Sequence, residues 1–368
     1  MTGARWDDVK QRWNIFTREG LLTNSQFFLP CSGYSTIRHI PDFPGLGTFH
    51  HRYHISEWPE SLEFQGKRVA VIVTAASGIQ VIEALREQVS YLTVFQRTPN
   101  LATPMRQKQF TASDILSVKQ EYPQLFASRI SRNGFLSQTH RKSAEDTIDE
   151  SEEFLEGVWK RGGMAFWFDN YEDMLGNPAA NDLVYNFWRK KVHKRVHNAG
   201  IAEKLAPSKA PHAFGTKRPS LETAYFEVFN QSNVSLVDVN SDPITQVTPE
   251  GIYTASGAYH RVDIIALATG FDFITGSMLA MGIRGVNGRR LDEKWDISVD
   301  GEGVSTHLGL MTAGFPNMFF PMGPQAPSAL GLTPHMAEVQ GDWIAECLAY
   351  MRRKGLSVIQ PTEDAELE

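Results

Sequence analysis

The stretch RVAVIVTAASGIQVI, residues 68–82, followed by YLTVFQRTPN, residues 91–100, decides the fold. The uninterrupted apolar run from Val69 to Val73 is what a strand buried on both faces requires. A turn from Val73 to Gly78 leads into a helix opening with Ile79, Gln80 and Val81, and a second strand runs from Tyr91 to Gln96. This order predicts a dinucleotide-type β-α-β unit. In a G-x-G-x-x-G turn the first glycine makes the tight bend, the second admits the pyrophosphate, and the third lets helix and strand pack. Val73 and Ala75 hold the first two positions here, and only Gly78 keeps the third. A valine is expected to resist the positive φ that glycine takes freely, and the Ala75 methyl stands where phosphate oxygens would sit. The pattern therefore predicts the fold, and the lost glycines predict loss of the ligand.

Composition bounds the rest. The 368 residues are 42% hydrophobic and 21% charged, enough for two domains or one large α/β unit. A net charge of −6 gives no basic footprint, so neither nucleic acid nor an anionic membrane is expected as a partner. The cluster Arg189, Lys190, Lys191, Lys194 and Arg195 reads as the wet face of a helix carrying Phe187, Trp188 and Val192 on its other side. Cys31 and Cys347 are far apart, which argues against a disulfide framework or zinc site and for a reducing, cytoplasmic setting. No signal peptide or spanning helix is expected.

Along the chain, strands are expected at Trp13–Phe16 and Gln26–Leu29, then a connector through Pro41, Pro44 and Pro59. From about Thr111 to Gly200 apolar residues recur at spacings of three and four, predicting helices. Further strands are expected at Val234–Val239, Val262–Ala268 and Met318–Met322. A loop from Gly323 to Thr333 and a helix from Met336 to Arg352 follow.

Candidate site residues follow from these positions. Ser77, Gly78, Arg97 and Thr98 sit where an NADPH site would place its turn and its 2′-phosphate cation. Lys217 and Arg218 form a basic pair that could polarise a carbonyl, or could be a plain surface pair. His50, His51 and His54 crowd one loop, but no acidic or thiol ligand falls at metal spacing, and no metal is expected. Trp167, within an aromatic run, suits either a substrate pocket or helix packing. Asp263, Asp272 and Glu338 are carboxylates that could act as a general base, and His335 and Gln325 are polar residues after the last expected strand.

The run FPGLGTFHHRYHISEWP, residues 43–59, resembles the F-x-G-x-x-x-H-x-x-x-W-P fingerprint of Baeyer–Villiger monooxygenases. Phe49, His54, Trp58 and Pro59 match, with one residue missing between Phe49 and His54. V-F-Q-R-T-P (94–99), T-K-R-P (216–219), A-L-A-T-G-F-D (266–272) and G-F-P-N-M-F (314–319) resemble later family segments in order, as does G-P-Q-A-P (323–327). The resemblance implies FAD and NADPH as cofactors and makes Arg218 the family's catalytic arginine, which stabilises negative charge during oxygen insertion. It also implies that His54 and Trp58 pin a loop near the substrate, and that His335 and Gln325 face the flavin. The family opens with a further β-α-β unit carrying an intact glycine-rich turn. No G-x-G-x-x-G occurs in this sequence, and Gly45 to Gly47 lies in a proline-flanked loop.

The fold expected is α/β: a Rossmann-like NADPH-type domain (1–110 and 205–270) with a helical insertion (111–204), plus the remaining half of a FAD-type Rossmann-like domain (271–368). Without intact nucleotide turns, the expected function is a cofactor-independent, non-redox cyclase, isomerase or lyase acting on an apolar carbonyl compound. The expected partner is a second copy or another chain that covers the incomplete domain. Two alternatives stand: a genuine FAD- and NADPH-dependent monooxygenase completed by a partner chain or by a missing N-terminal unit, and a noncatalytic scaffold.

Overall fold

A computed structural model describes residues 1–128, 139–296, 303–326 and 332–367. It divides into two compact units, one holding residues 40–121 and 137–269 and the other 1–39, 122–136 and 270–368, each within its described parts. The division cuts differently from the expected segments. Residues 1–39 group with the C-terminal part, and most of the helical insertion groups with the parallel sheet.

The unit of residues 40–121 and 137–269 is built on five parallel strands in the order β4 (Arg52–His54), β13 (Ile264–Leu267), β5 (Arg68–Ile72), β6 (Tyr91–Gln96) and β9 (Val234–Asp238). Alternation along β5 divides its side chains between two cores. Val69 and Val71 join Ile79, Ile82 and Leu85 of helix α1 (Ala76–Leu85). Ala70 and Ile72 pack with Val247 and Ile252 of a small antiparallel sheet, β10 (Ile244–Thr248), β11 (Gly251–Thr254) and β12 (Tyr259–Arg261), and with Val262 just beyond it. Covering both faces is why β5 carries no polar alternation.

Helices α3 (Ile148–Arg161), α4 (Ala165–Phe168), α5 (Pro178–His193) and α6 (Ala199–Leu205) extend the core that contains α1. Thr147 and Glu150 cap α3 reciprocally, a local signal that fixes its start. Of the expected basic cluster, Lys190 and Lys191 pair with Glu152 and Glu156 of α3, whereas Arg195 lies past the end of α5, largely buried in ion pairs with Glu222 and Glu227.

In the other unit β14 (Ile283–Arg284), β1 (Gly3–Asp7), β2 (Arg12–Thr17) and β3 (Gly20–Ser25) form a sheet in that order. The expected strand at Trp13–Phe16 lies within β2. Gln26–Leu29 and Met318–Met322 reduce to a single bridge between Phe28 and Met318. Asn317 (φ 55°) and Met322 (φ 56°) take left-handed conformations that stop a ladder from extending. Helix α10 (Thr333–Lys354) contains the expected Met336–Arg352 helix. Of the expected loop Gly323–Thr333, residues 327–331 lie outside the described residues. No described helix is long and apolar enough to cross a membrane.

Candidate functional site

Chemistry in parallel α/β sheets gathers beyond the carboxyl ends of the strands, where chain leaves β5 and β6. A cavity of about 190 Å³ lies there, lined by Val73, Thr74 and Ala75 from the turn, Arg97 to Leu101 after β6, and His212, Lys217, Arg218 and Pro219. Three residues expected from the sequence, Arg97, Lys217 and Arg218, thus share one cavity with the turn, although they are distant along the chain. Thr98 joins them. Among the described residues, no carboxylate lines the cavity.

The turn itself overturns one expectation. Val73 does adopt positive φ, at 79°. Its neighbours hold it there. The Val73 N–H donates to Phe95 O at 2.9 Å, Ala268 N–H donates to Ile72 O at 3.0 Å, and the Thr74 hydroxyl donates to Thr98 O at 3.2 Å. Asn100 Nδ2 donates both to Thr74 O and to Ser220 Oγ, each at 3.0 Å, tying the turn to the segment that carries Lys217 and Arg218. Strain of this kind persists where surrounding bonds over-determine it.

Gly78 keeps its packing role. A Cβ added there would fall inside 3.0 Å of the Val73 carbonyl oxygen and 3.3 Å from Ala268 Cβ. Ala75 is the N-cap of α1 in extended conformation and makes no side-chain cap bond. The first-turn N–H groups of α1 have no intrahelical partners by geometry, and Ser77 is exposed among them.

The remaining candidates lie elsewhere. His54 is buried at the end of β4, with Nδ1 2.7 Å from Ser56 Oγ. Trp58 packs on Phe64, ring centroids 4.8 Å apart. Trp167 is a core residue that donates from Nε1 to Gly215 O at 3.1 Å and stacks on Phe168. In the other unit, Asp272 is exposed. The Gln325 amide is bonded at both ends, accepting from Thr306 Oγ1 and donating to Val304 O. His335 is buried near the start of α10, where its Nδ1 lies 3.9 Å from Glu338 Oε2 and has no hydrogen-bond partner among the described residues.

Asn100 and His212 escaped the sequence reading. Asn100 stands next to R-T-P and could have been noticed as a polar residue at a strand exit. His212 carries no local signal. A larger cavity of about 430 Å³ opens at the amino ends of β5 and β13, lined by His50, His51, Lys67, Arg68 and Asp263 among others. There the Arg68 guanidinium grips Asp263 and holds its carboxyl below the usual range, a paired arrangement that ties strand ends together.

The relatives of this chain settle its ancestry. It is 40% identical over 369 residues to cyclopentanone 1,2-monooxygenase of Comamonas, covering 99% of this chain and 66% of the relative. It is 32% identical to a Baeyer–Villiger monooxygenase of Pseudooceanicola batsensis, covering 99% and 65%. A solved structure of OTEMO complexed with FAD and NADP superposes with TM-score 0.94 at 34% identity, covering 99% of this chain and 68% of that one. The chain belongs to the Baeyer–Villiger monooxygenase family. It spans about two thirds of the length of these family members. No protein-family profile matches it.

Family membership confirms the α/β, Rossmann-like expectation and corrects the expectation that no cofactor is used. A family structure that matches over 99% of this chain carries both FAD and NADP, and relatives are named as FAD-binding monooxygenases. The residues present fit a nicotinamide dinucleotide: a left-handed turn, a glycine kept only for close packing, and three cations facing a cavity without carboxylates. For flavin the fit is different. The sequence holds no second glycine-rich turn, so no flavin pyrophosphate contact is assigned to these residues.

Proposed function

We propose that this chain works as a FAD- and NADPH-dependent monooxygenase that converts an apolar ketone to an ester or lactone. The cation-lined cavity at the carboxyl ends of β5 and β6 carries the reading. NADPH supplies the hydride, and flavin the capacity to activate oxygen. Arg97 and Lys217 hold the phosphate groups of the dinucleotide by charge, and the bidentate guanidinium of Arg97 suits a phosphate. Asn100 keeps the turn and the Lys217–Arg218 segment in register. Arg218, on the same cavity wall, offsets negative charge that develops on the substrate oxygen. Names of relatives such as cyclopentanone 1,2-monooxygenase and methyl acetate-forming acetone monooxygenase favour ketones as substrates. They give no support to a non-redox cyclase, isomerase or lyase.

The test pairs binding with turnover. NADP⁺ titrated into the protein should bind, and Arg97→Ala with Lys217→Ala should weaken it about 100-fold, as loss of two charge-assisted contacts predicts. With FAD, NADPH and cyclopentanone, oxygen uptake should match ester formation. Arg218→Ala should retain NADP⁺ binding within about threefold yet lower turnover about 100-fold or more. A wild-type protein that ignores NADP⁺ at millimolar concentration overturns the proposal.

A further inference from the structure

We infer that this chain grips its dinucleotide by the phosphorylated adenosine end and holds the pyrophosphate off the β5–α1 turn; the inference rests on the NADPH reading above. Two observations carry it. First, Ala75 is exposed, lines the cavity and stands in extended conformation (φ −72°, ψ −179°) at the mouth of α1. In the glycine form of this turn the position is bare, so that phosphate oxygens reach backbone N–H groups. A methyl there keeps oxygen at carbon-contact distance, about 3.3 Å or more, where a direct N–H···O bond needs about 2.9 Å. Second, the cavity's cations, Arg97, Lys217 and Arg218, come from segments other than the turn.

Positive φ at Val73 shows that the bend is intact, so the defect is confined to the Ala75 methyl. Binding energy therefore shifts from the backbone donors of α1 to the side chains of Arg97 and Lys217. A ligand that carries the 2′-phosphate but lacks the pyrophosphate retains most of the affinity. Such binding is strongly salt-sensitive, because exposed charges are screened over about 8–10 Å at ordinary ionic strength.

Calorimetric titration of the whole chain with NADP⁺ and with 2′-AMP tests this. Wild-type protein should bind NADP⁺ within about tenfold of 2′-AMP. Ala75→Gly should tighten NADP⁺ about five- to tenfold, the effect of one recovered backbone–phosphate bond, and leave 2′-AMP unchanged. Glycine is well tolerated at an N-cap, so this variant should unfold at the wild-type temperature. Ala75→Val, with a larger side chain at the same point, should leave 2′-AMP unchanged and should not tighten NADP⁺. The inference is overturned if wild-type protein binds NADP⁺ more than about 100-fold tighter than 2′-AMP and Ala75→Gly adds nothing. Wild-type protein that binds neither nucleotide would instead remove the NADPH reading itself.

Discussion

Replacing Gly78 by alanine sets two opposing effects against each other, and the structure decides between them. Alanine favours a helix over glycine by about 0.5–1 kcal/mol. Against that, the new Cβ would fall inside 3.0 Å of the Val73 carbonyl oxygen and 3.3 Å from Ala268 Cβ. The oxygen is backbone, and it belongs to a turn held by bonds from Val73 to Phe95 and from Asn100 to Thr74. It cannot step aside as a flexible side chain would. Overpacking of this sort costs about 1–3 kcal/mol, and the rigid partner places it near the upper end. The net expectation is a loss of about 2 kcal/mol, which lowers the urea midpoint by about 1 M at a typical slope. Gly157 supplies the control. It lies exposed within α3, and an added Cβ there would meet nothing within 4 Å. Gly157→Ala should therefore raise stability by about 0.5–1 kcal/mol. Urea unfolding followed by fluorescence reads both variants. Gly78→Ala unfolding at or above the wild-type midpoint would show that α1 does not pack on the turn this closely.

Two further outcomes follow from the same unit. Burial lowers the pKa of His260 below its ordinary value, with Asp242 opposing, and its Nε2 has no hydrogen-bond partner among the described residues. The unfolded state therefore binds the proton more readily. This contribution is complete above the unfolded value of about 6.5 and is lost as pH falls below it. His260→Gln should unfold with a shallower loss of stability between pH 7.5 and 5 than the wild type, and an unchanged slope would remove His260 as the cause. At Val73, a non-glycine residue at positive φ costs about 1–2 kcal/mol, which glycine releases and alanine does not. Val73→Gly should be more stable than Val73→Ala by about 1 kcal/mol in thermal unfolding, and the reverse order would show the turn relaxed in solution.

Legibility in the sequence varied with the kind of signal. The parallel sheet was readable because β5 is apolar on both faces, and α3 because Thr147 and Glu150 mark its start within the chain itself. The sheet of residues 3–25 was largely hidden. Strand β3 is exposed along nearly all its length and so reads as loop, and β1 gives only five residues of pattern. Met318–Met322 shows the opposite failure. Its apolar run is real core, with Met318, Phe319 and Phe320 fully buried, but left-handed residues on either side keep it out of a ladder. Apolar sequence reports burial more faithfully than it reports strand. In the site, Arg97, Lys217 and Arg218 were each nameable from local motifs, whereas the bonds of Asn100 that join them span 26 and 120 positions of chain.

The cofactor expectation failed for a reason that sequence alone conceals. It treated a glycine's conformation as a property of the residue, so that a valine in its place meant a different turn. Backbone conformation is set by every bond that constrains it, and a penalty of about 1–2 kcal/mol is small beside several hydrogen bonds that would break if the turn rearranged. The bonds to Phe95, Ile72 and Thr98 come from the sheet and its exits, which the fold builds regardless of what occupies position 73. A first-position glycine therefore makes this bend less costly without being required for it. The second position differs in kind: there the ligand, not the chain, needs the space, and no rearrangement of neighbours removes a methyl. The two substitutions in this turn have unequal consequences, and the one at Ala75 bears on binding.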